Sequence, residues 1–246
     1  MKRSLKDLTG FTINTTDGKK GKVKDFLFDE EQWAIRYIEA DFGNLLSPQK
    51  VLIPRVFIKQ TAWDDKTFLI DLSTSEIDKC PDIDDHLPVS RKYEEELNKY
   101  YQIDPYWSGA YLGSTGGYFP PRPLKVPLKA VEEDKLGTIL RSFKEVEGYH
   151  IQALDGTMGH VEDILIDDDD WQIIYTVVDT KSWLPWSKKV LVAIHWMDKV
   201  SYVKKEVEIN LHTNTIETAP EYNPDDLIDM DYEKELYDFY SRSLVK

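Results

Sequence analysis

The sequence has little of what disulfide-bonded, zinc-binding or membrane-spanning proteins require. Its 246 residues include one cysteine, Cys80, which excludes an internal disulfide and a zinc site built from cysteines. No apolar run approaches the ~20 residues of a membrane-spanning helix, and residues 1–7 lack the apolar stretch of a signal peptide. We therefore expect a cytoplasmic protein without an integral membrane segment.

Positive charge is also scarce. The chain has 31 Lys and Arg residues against 45 Asp and Glu residues, a formal net charge of −14. Binding to nucleic acid needs a cationic surface that neutralises phosphates, and an acidic surface repels them. The composition therefore predicts that nucleic acid is not a partner, and it disfavours an anionic membrane.

Recognisable catalytic motifs are missing as well. The sequence shows neither a nucleophile elbow nor an ordered Ser-His-Asp set, and acidic residues are too numerous for any pair to be informative. Residues 113–117 are rich in glycine but lack the preceding strand and the lysine of a phosphate-binding loop. We expect no enzymatic activity and no cofactor; a metal-dependent enzyme is the rival hypothesis.

Two groups of side chains could in principle offer metal ligands. The run Asp167–Asp170 carries the oxygen ligands that Ca²⁺ prefers, but its spacing is not that of an EF-hand loop, and we interpret it as a solvated hairpin loop. Four histidines fall in the second half of the chain at spacings that match no metal motif. They are His150, His160, His195 and His212. The sequence predicts no metal site.

The chain does contain a long internal repeat. The stretch from Leu8 to Tyr101 recurs from Val146 to Tyr240, in the same order and at an almost constant spacing. A repeat this long is far above the 20–50 residues of solenoids and propellers, so each copy should be a folded unit of its own. We predict a first domain over residues 1–103, a linker over 104–140 and a second domain over 141–246.

Within each repeat, the hydrophobic pattern has the period of strands. About six short strands in so few residues predict a small closed barrel, since closure removes exposed edges. Asp17-Gly18 and Asp155-Gly156 are typical of tight hairpin turns, and we expect a positive φ at both glycines.

A helix rich in tyrosine follows the strands of each repeat. Residues 90–101 place Tyr93, Leu97 and Tyr100 on one face, and the second repeat has an equivalent stripe. That stripe is Tyr232, Leu236 and Phe239. We expect each stripe to pack on its own barrel; the alternative is an aromatic face offered to a partner.

The residues that the two repeats share resemble those of the PRC-barrel family. The resemblance is carried by residues 10–29, by Trp33–Tyr37 and by Val51–Pro54, and the second repeat departs from it by having Ala193 in place of the usual proline. From that departure we expect less bending of the strand there. PRC-barrels are similar to the cytoplasmic domain of photosynthetic reaction-centre H subunits. The resemblance implies a docking fold that has no shared catalytic residues.

Aromatic residues outside the barrels are the candidate interface. In the linker, which is rich in Pro, Gly and aromatic residues, these are Tyr106, Trp107, Tyr118 and Phe119, and in a loop of the second repeat they are Trp183 and Trp186. Exposed rings are costly, so we expect the linker to pack across both repeats and hold them as a pseudo-symmetric pair. The loop tryptophans either anchor a partner or plug the mouth of the barrel.

These features together predict a mainly β protein of two tandem PRC-type barrels, each followed by a short helix. Its function would be that of a non-enzymatic, protein-binding adaptor or a stress-related accessory protein, with a protein partner or a second copy of itself. A membrane-peripheral component like the reaction-centre H subunit is an alternative.

Overall fold

The first repeat folds into six consecutive strands and two helices, preceded by a short arm. In the computed structural model, the chain is described over residues 1–44, 46–81, 83, 89–107, 139–180 and 188–243. The arm consists of β1 (Lys2–Ser4) and α1 (Leu5–Leu8). The strands are β2 (Thr12–Asn14), β3 (Lys20–Asp29), β4 (Ala34–Asp41), β5 (Lys50–Pro54), β6 (Ile58–Ala62) and β7 (Thr67–Ile70). The helices are α2 (Thr74–Asp78) and α3 (Arg91–Tyr101).

The second repeat has the same elements in the same order. Its arm consists of β8 (Leu140–Ser142) and α4 (Phe143–Val146). The strands are β9 (His150–Ala153), β10 (Gly156–Asp167), β11 (Ile173–Asp179), β12 (Lys189–Ala193), β13 (Met197–Ser201) and β14 (Glu206–Ile209). The helices are α5 (Thr213–Thr218) and α6 (Met230–Ser243), and no helix of the described residues is long and apolar enough to cross a membrane.

Each repeat supplies one sheet, and the two sheets have the same strand order. The first runs β5-β4-β3-β2-β7-β6 and the second β12-β11-β10-β9-β14-β13. This confirms the prediction of a mainly β chain with two units, each followed by helices. Neither hydrogen-bonded ladder closes into a complete barrel, however, because among the described residues the edge strands β5 and β6, and likewise β12 and β13, are joined by a short 3₁₀ turn but do not pair with each other.

The arms are exchanged between the two repeats. Strand β1 pairs with β10 of the second repeat, and β8 pairs with β3 of the first. Each sheet therefore has seven strands, six from its own repeat and one from the other. The exchange is reciprocal, so the repeats are related by a pseudo-twofold axis and each one completes the other.

One buried aspartate anchors each exchanged arm. Asp25, on β3, accepts hydrogen bonds from the Ser142 hydroxyl and from the backbone N–H of Lys144, at 2.9 Å. Asp163, the equivalent residue on β10, accepts from the Ser4 hydroxyl and from the backbone N–H of Lys6, at 3.2 Å. Since Ser4 and Ser142 are also the N-caps of α1 and α4, the aspartates hold strand and helix together.

An ion pair also holds each exchanged arm to the other repeat. The guanidinium of Arg141 binds both carboxylate oxygens of Glu30 and lies 4.7 Å from the ring of Tyr202. Arg3 binds Asp168 at 2.9 Å and lies 4.0 Å from the ring of Trp63.

Two tryptophans meet at the pseudo-twofold axis. Trp33 and Trp171 each come just before a strand, β4 or β11, and have the left-handed φ values 53° and 63°. The carbonyl of each accepts a hydrogen bond from the other repeat, at 2.7 Å for Trp33 and 3.0 Å for Trp171. The ring of Trp171 packs against Phe26 and Phe68 of the first repeat, so the buried core is continuous across the axis.

Two local expectations need correction. Gly18 has the expected positive φ, at 91°, but Gly156 does not, because the second turn is tighter and Gly156 already pairs with Ala153. The strand ending at Ala193 also bends as much as its counterpart. Pro54 has φ −58° and ψ 138°, Ala193 has φ −69° and ψ 145°, and a 3₁₀ turn follows each. The sheet geometry at this point therefore does not depend on the proline ring.

The tyrosine-rich helices pack on the sheets, as expected. Leu97 and Leu236 are almost completely buried. The hydroxyl of Tyr101 donates to the backbone carbonyl of Leu52 at 3.2 Å, and that of Tyr240 donates to Leu191 at 2.8 Å. Each helix thus covers part of the edge strand next to it, β5 or β12.

Candidate interaction surface

Helix α3 rests on strand β4 through a buried polar contact. The side chain of Glu94 is fully buried, and the Tyr37 hydroxyl lies 3.5 Å from its Oε1 atom. The Arg91 guanidinium lies 3.3 Å from Oε2. Burial raises the pKa of Glu94 to about 7, although Arg91 favours the charged form. The contact therefore holds a carboxyl that titrates near neutral pH.

The chain after α3 returns over this contact. Gln102 ends the helix in the left-handed conformation, which turns the chain so that Tyr106 and Trp107 lie beside the helix. Arg36 sits 4.3 Å from the ring of Tyr106, and Arg91 sits 3.9 Å from the ring of Trp107. The two rings contact edge to face at 4.8 Å. We call Arg36, Arg91, Tyr106 and Trp107 the Arg-Trp surface.

A small cavity lies next to this surface. Its volume is about 20 Å³, enough for one water molecule, and Tyr37, Asn98 and Tyr106 are among the residues that line it. Asn98 is 5 % exposed, and its Nδ2 atom has no hydrogen-bond partner among the described residues. The cavity is too small for an organic substrate.

The same position in the second repeat has a different surface. The central contact is kept, because the Tyr175 hydroxyl donates to Glu233 at 2.9 Å. Where the first repeat has Arg36 and Arg91, however, the second has Ile174 and Met230. The cationic and aromatic combination is therefore a feature of the first repeat.

The structure brings two of the predicted interface residues together. Tyr106 is half-buried under Arg36, and Trp107 is 37 % exposed. The other four predicted residues, Tyr118, Phe119, Trp183 and Trp186, lie outside the described residues. Sequence reasoning missed Arg36 and Arg91, because only the docking of α3 on β4 brings these arginines to the aromatic rings.

Among the described residues, two groups of side chains lie close enough together to hold a metal ion, and both already contact cations of the protein itself. In the aspartate run, Asp168 binds Arg3 and the N-terminal amine of Met1. A second group is formed by His160, Glu162 and Asp179, and there Glu162 binds Lys189 at 2.9 Å and Lys6 at 3.1 Å. Both groups therefore belong to ion-pair networks, and the absence of a metal site stays a prediction.

Comparison with protein families identifies the repeated unit. Residues 2–77 match the family model of the PRC-barrel domain. This stretch is a PRC-barrel domain. The match runs from β1 into α2, and the second repeat has the same order of strands and helices, which gives the chain a tandem arrangement. A search of curated proteins finds no match to the chain.

Proposed function

We propose that this tandem PRC-barrel protein is a non-enzymatic adaptor that binds a partner protein through the Arg-Trp surface. The observation that carries the proposal is the exposed ring of Trp107, held by Arg91 and Tyr106. Tryptophan, tyrosine and arginine are the residue types that dominate binding energy at protein interfaces. The fold supports the proposal, because PRC-barrels share no set of catalytic residues.

The neighbouring residues extend the same surface. Val56 is 44 % exposed, and with Arg55 it lines the cavity beside Tyr106. Arg36 binds Asp29 and Arg91 binds Glu94, so the surface fits a partner segment with an apolar side chain for Trp107 and Val56 and a carboxylate for Arg55. In this proposal the protein acts in the cytoplasm, needs no cofactor and binds another protein or a second copy of itself.

The test is the variant Trp107→Ala, with Val203→Ala as its control. Val203 is 83 % exposed in the second repeat, so the control removes an exposed apolar side chain elsewhere. We expect quantitative affinity purification to lose specific partners with Trp107→Ala and to keep them with Val203→Ala, while both variants melt like the parent. Identical partner sets for parent and Trp107→Ala would refute the proposal.

Trp183 and Trp186 remain a second proposed contact. The variant carrying Trp183→Ala and Trp186→Ala should fold and should lower partner capture or self-association. Loss of folding would instead assign both rings to the core of the second repeat.

A further inference from the structure

An open groove lies between the two helices of the second repeat. It lies between α5 and α6, has a volume of about 1000 Å³ and reaches the turn at Asp155. Phe239 and Pro220 contribute apolar surface to it. Its acidic side chains are Asp155, Asp231, Glu235 and Asp238, and its basic ones are His212 and Lys234. A groove of this size accommodates a peptide segment rather than a single ion.

In the first repeat, the equivalent helices are joined directly. The hydroxyl of Tyr100, on α3, donates to the backbone carbonyl of Glu76, on α2, at 2.6 Å. The residue at the position of Tyr100 in the second repeat is Phe239, which has no hydroxyl to make this bond. In the second repeat the connection to α6 follows the edge of β12, where the Tyr222 N–H donates to the carbonyl of Lys189 at 2.8 Å. The missing hydroxyl at position 239 leaves α5 and α6 without the bond that joins α2 and α3.

Most of the acidic side chains on the groove have no ion-pair partner among the described residues. Asp231, Glu235 and Asp238 form no ion pair with any residue that the structure describes. Asp155 differs, since it accepts a hydrogen bond from the backbone N–H of Thr213 at 2.7 Å and lies 3.6 Å from His212. Three exposed carboxylates on α6 therefore face the groove without an ion pair to any described residue, and Lys234 is the one lysine that lines the groove with them.

We propose that this groove binds a basic amphipathic segment of a partner protein. Lys or Arg side chains of the segment pair with Asp231, Glu235 and Asp238, and its apolar side chains cover Phe239. The site is separate from the Arg-Trp surface and does not depend on it. With both surfaces occupied, the two repeats hold two partners of opposite charge, which is how an adaptor brings two proteins together.

The probe is a fluorescently labelled peptide of about four helical turns with lysines on one face and leucines on the other. A scrambled peptide of the same composition lacks the apolar stripe and serves as the ligand control. Binding to the full chain is followed by fluorescence anisotropy at low and high salt. We expect the amphipathic peptide to bind, the scrambled one to bind much more weakly, and salt to weaken binding.

Two charge variants locate the site. Glu235→Lys with Asp238→Lys reverses the charge of the groove, and Glu95→Lys with Glu96→Lys makes the same charge change on the exposed face of α3. We expect the groove variant to bind at least about tenfold more weakly than the parent and the control variant to bind nearly as well as the parent. Equal weakening in both variants would show only general attraction to an acidic protein and would overturn the proposal.

Phe239→Tyr tests the apolar part of the groove without changing its charge. The new hydroxyl adds a polar group where the peptide's apolar side chains would pack, so we expect weaker peptide binding. Unchanged binding by this variant together with equal binding of the scrambled peptide would also overturn the proposal. Trp107→Ala should leave peptide binding intact, which separates failure here from failure of the adaptor proposal.

Discussion

The aspartates that anchor the exchanged arms are an unusual choice of residue for so buried a position. Burial raises the pKa of Asp25 and of Asp163 to about 6 from a usual value of 3.8, although hydrogen bonds from the arms favour the charged form. A carboxyl whose pKa is higher in the folded chain binds its proton more tightly when folded. Each therefore stabilises the fold most fully below pH 3.8, and this contribution is lost as the pH rises to about 6.

The double variant Asp25→Asn with Asp163→Asn should remove this titration. Between about pH 4 and about pH 7 the parent should lose up to roughly 2 kcal/mol of unfolding free energy per carboxyl, and the variant should lose much less. Urea unfolding at the two pH values measures the difference. Asp17→Asn is the control, because the hydrogen bond from Thr15 and those from Thr74 lower the pKa of Asp17 to about 2. A parent and a double variant with the same pH dependence would contradict the prediction.

Two glycines at equivalent positions should respond differently to the same substitution. Gly18 has φ 91°, so Gly18→Ala should cost about 1 kcal/mol of unfolding free energy through backbone strain. Gly156 lies outside the left-handed region, and a Cβ atom there meets no atom within 4 Å. Gly156→Ala should therefore cause no loss. Thermal or urea unfolding of both variants checks this, and equal destabilisation would count against the difference between the two turns.

At the scale of elements, the two arms have the same geometry but different degrees of burial. The side chain of Arg141 is 2 % exposed and binds Glu30 with two nitrogens, whereas that of Arg3 is 26 % exposed and binds Asp168. A buried ion pair that loses one partner leaves an uncompensated charge, while an exposed pair contributes little. The arm of the second repeat should therefore be the more sensitive of the two.

We expect Arg141→Ala to cost about 3 kcal/mol of unfolding free energy or more and Arg3→Ala to cost about 1 kcal/mol or less. Chemical denaturation measures both values. Adding Glu30→Ala to Arg141→Ala should recover part of the loss, because it removes the unpaired carboxylate. Similar losses for the two single variants would show that burial does not distinguish the arms.

Several elements could be read from the sequence because their signals are local. The spacing of Ser73 and Glu76 is that of a capping box, which is present at α2, and Ser90 is the N-cap of α3. The arm exchange could not be predicted in this way. Residues 2–8 and 140–146 have equivalent sequences. Either arm would therefore bury the same kind of apolar side chains on its own sheet as on the other sheet, and the sequence does not distinguish the two arrangements.

The candidate site was predictable only in part, for a related reason. Trp107 stands out in the sequence because exposed aromatic residues are unusual in a linker. Arg36 lies on β4, 70 positions before Tyr106 (106 − 36), and nothing in its local sequence points to that ring. Contacts between distant segments depend on how α3 docks, and that docking is fixed by buried residues such as Glu94 and Leu97.

At the scale of the whole molecule, the exchange makes a prediction about separated halves. Fragments covering residues 1–107 and 139–246 each lack the strand that completes their sheet, since β8 belongs to one fragment and β1 to the other. Mixed together, they should form a stable 1:1 complex with arms exchanged as in the intact chain. Size-exclusion chromatography with light scattering measures this. Two fragments that stay monomeric when mixed, and melt alone like the intact chain, would contradict it.

Holding both repeats in one chain also removes a restriction on how their surfaces can evolve. In a homodimer of identical subunits, every substitution appears twice, once on each side of the axis. Here a substitution reaches one side only, so the side chains that hold the arms can stay matched while the outer faces change separately. Arg91 opposite Met230 and Tyr100 opposite Phe239 are such changes, which gives a single gene product two unlike faces around one shared frame.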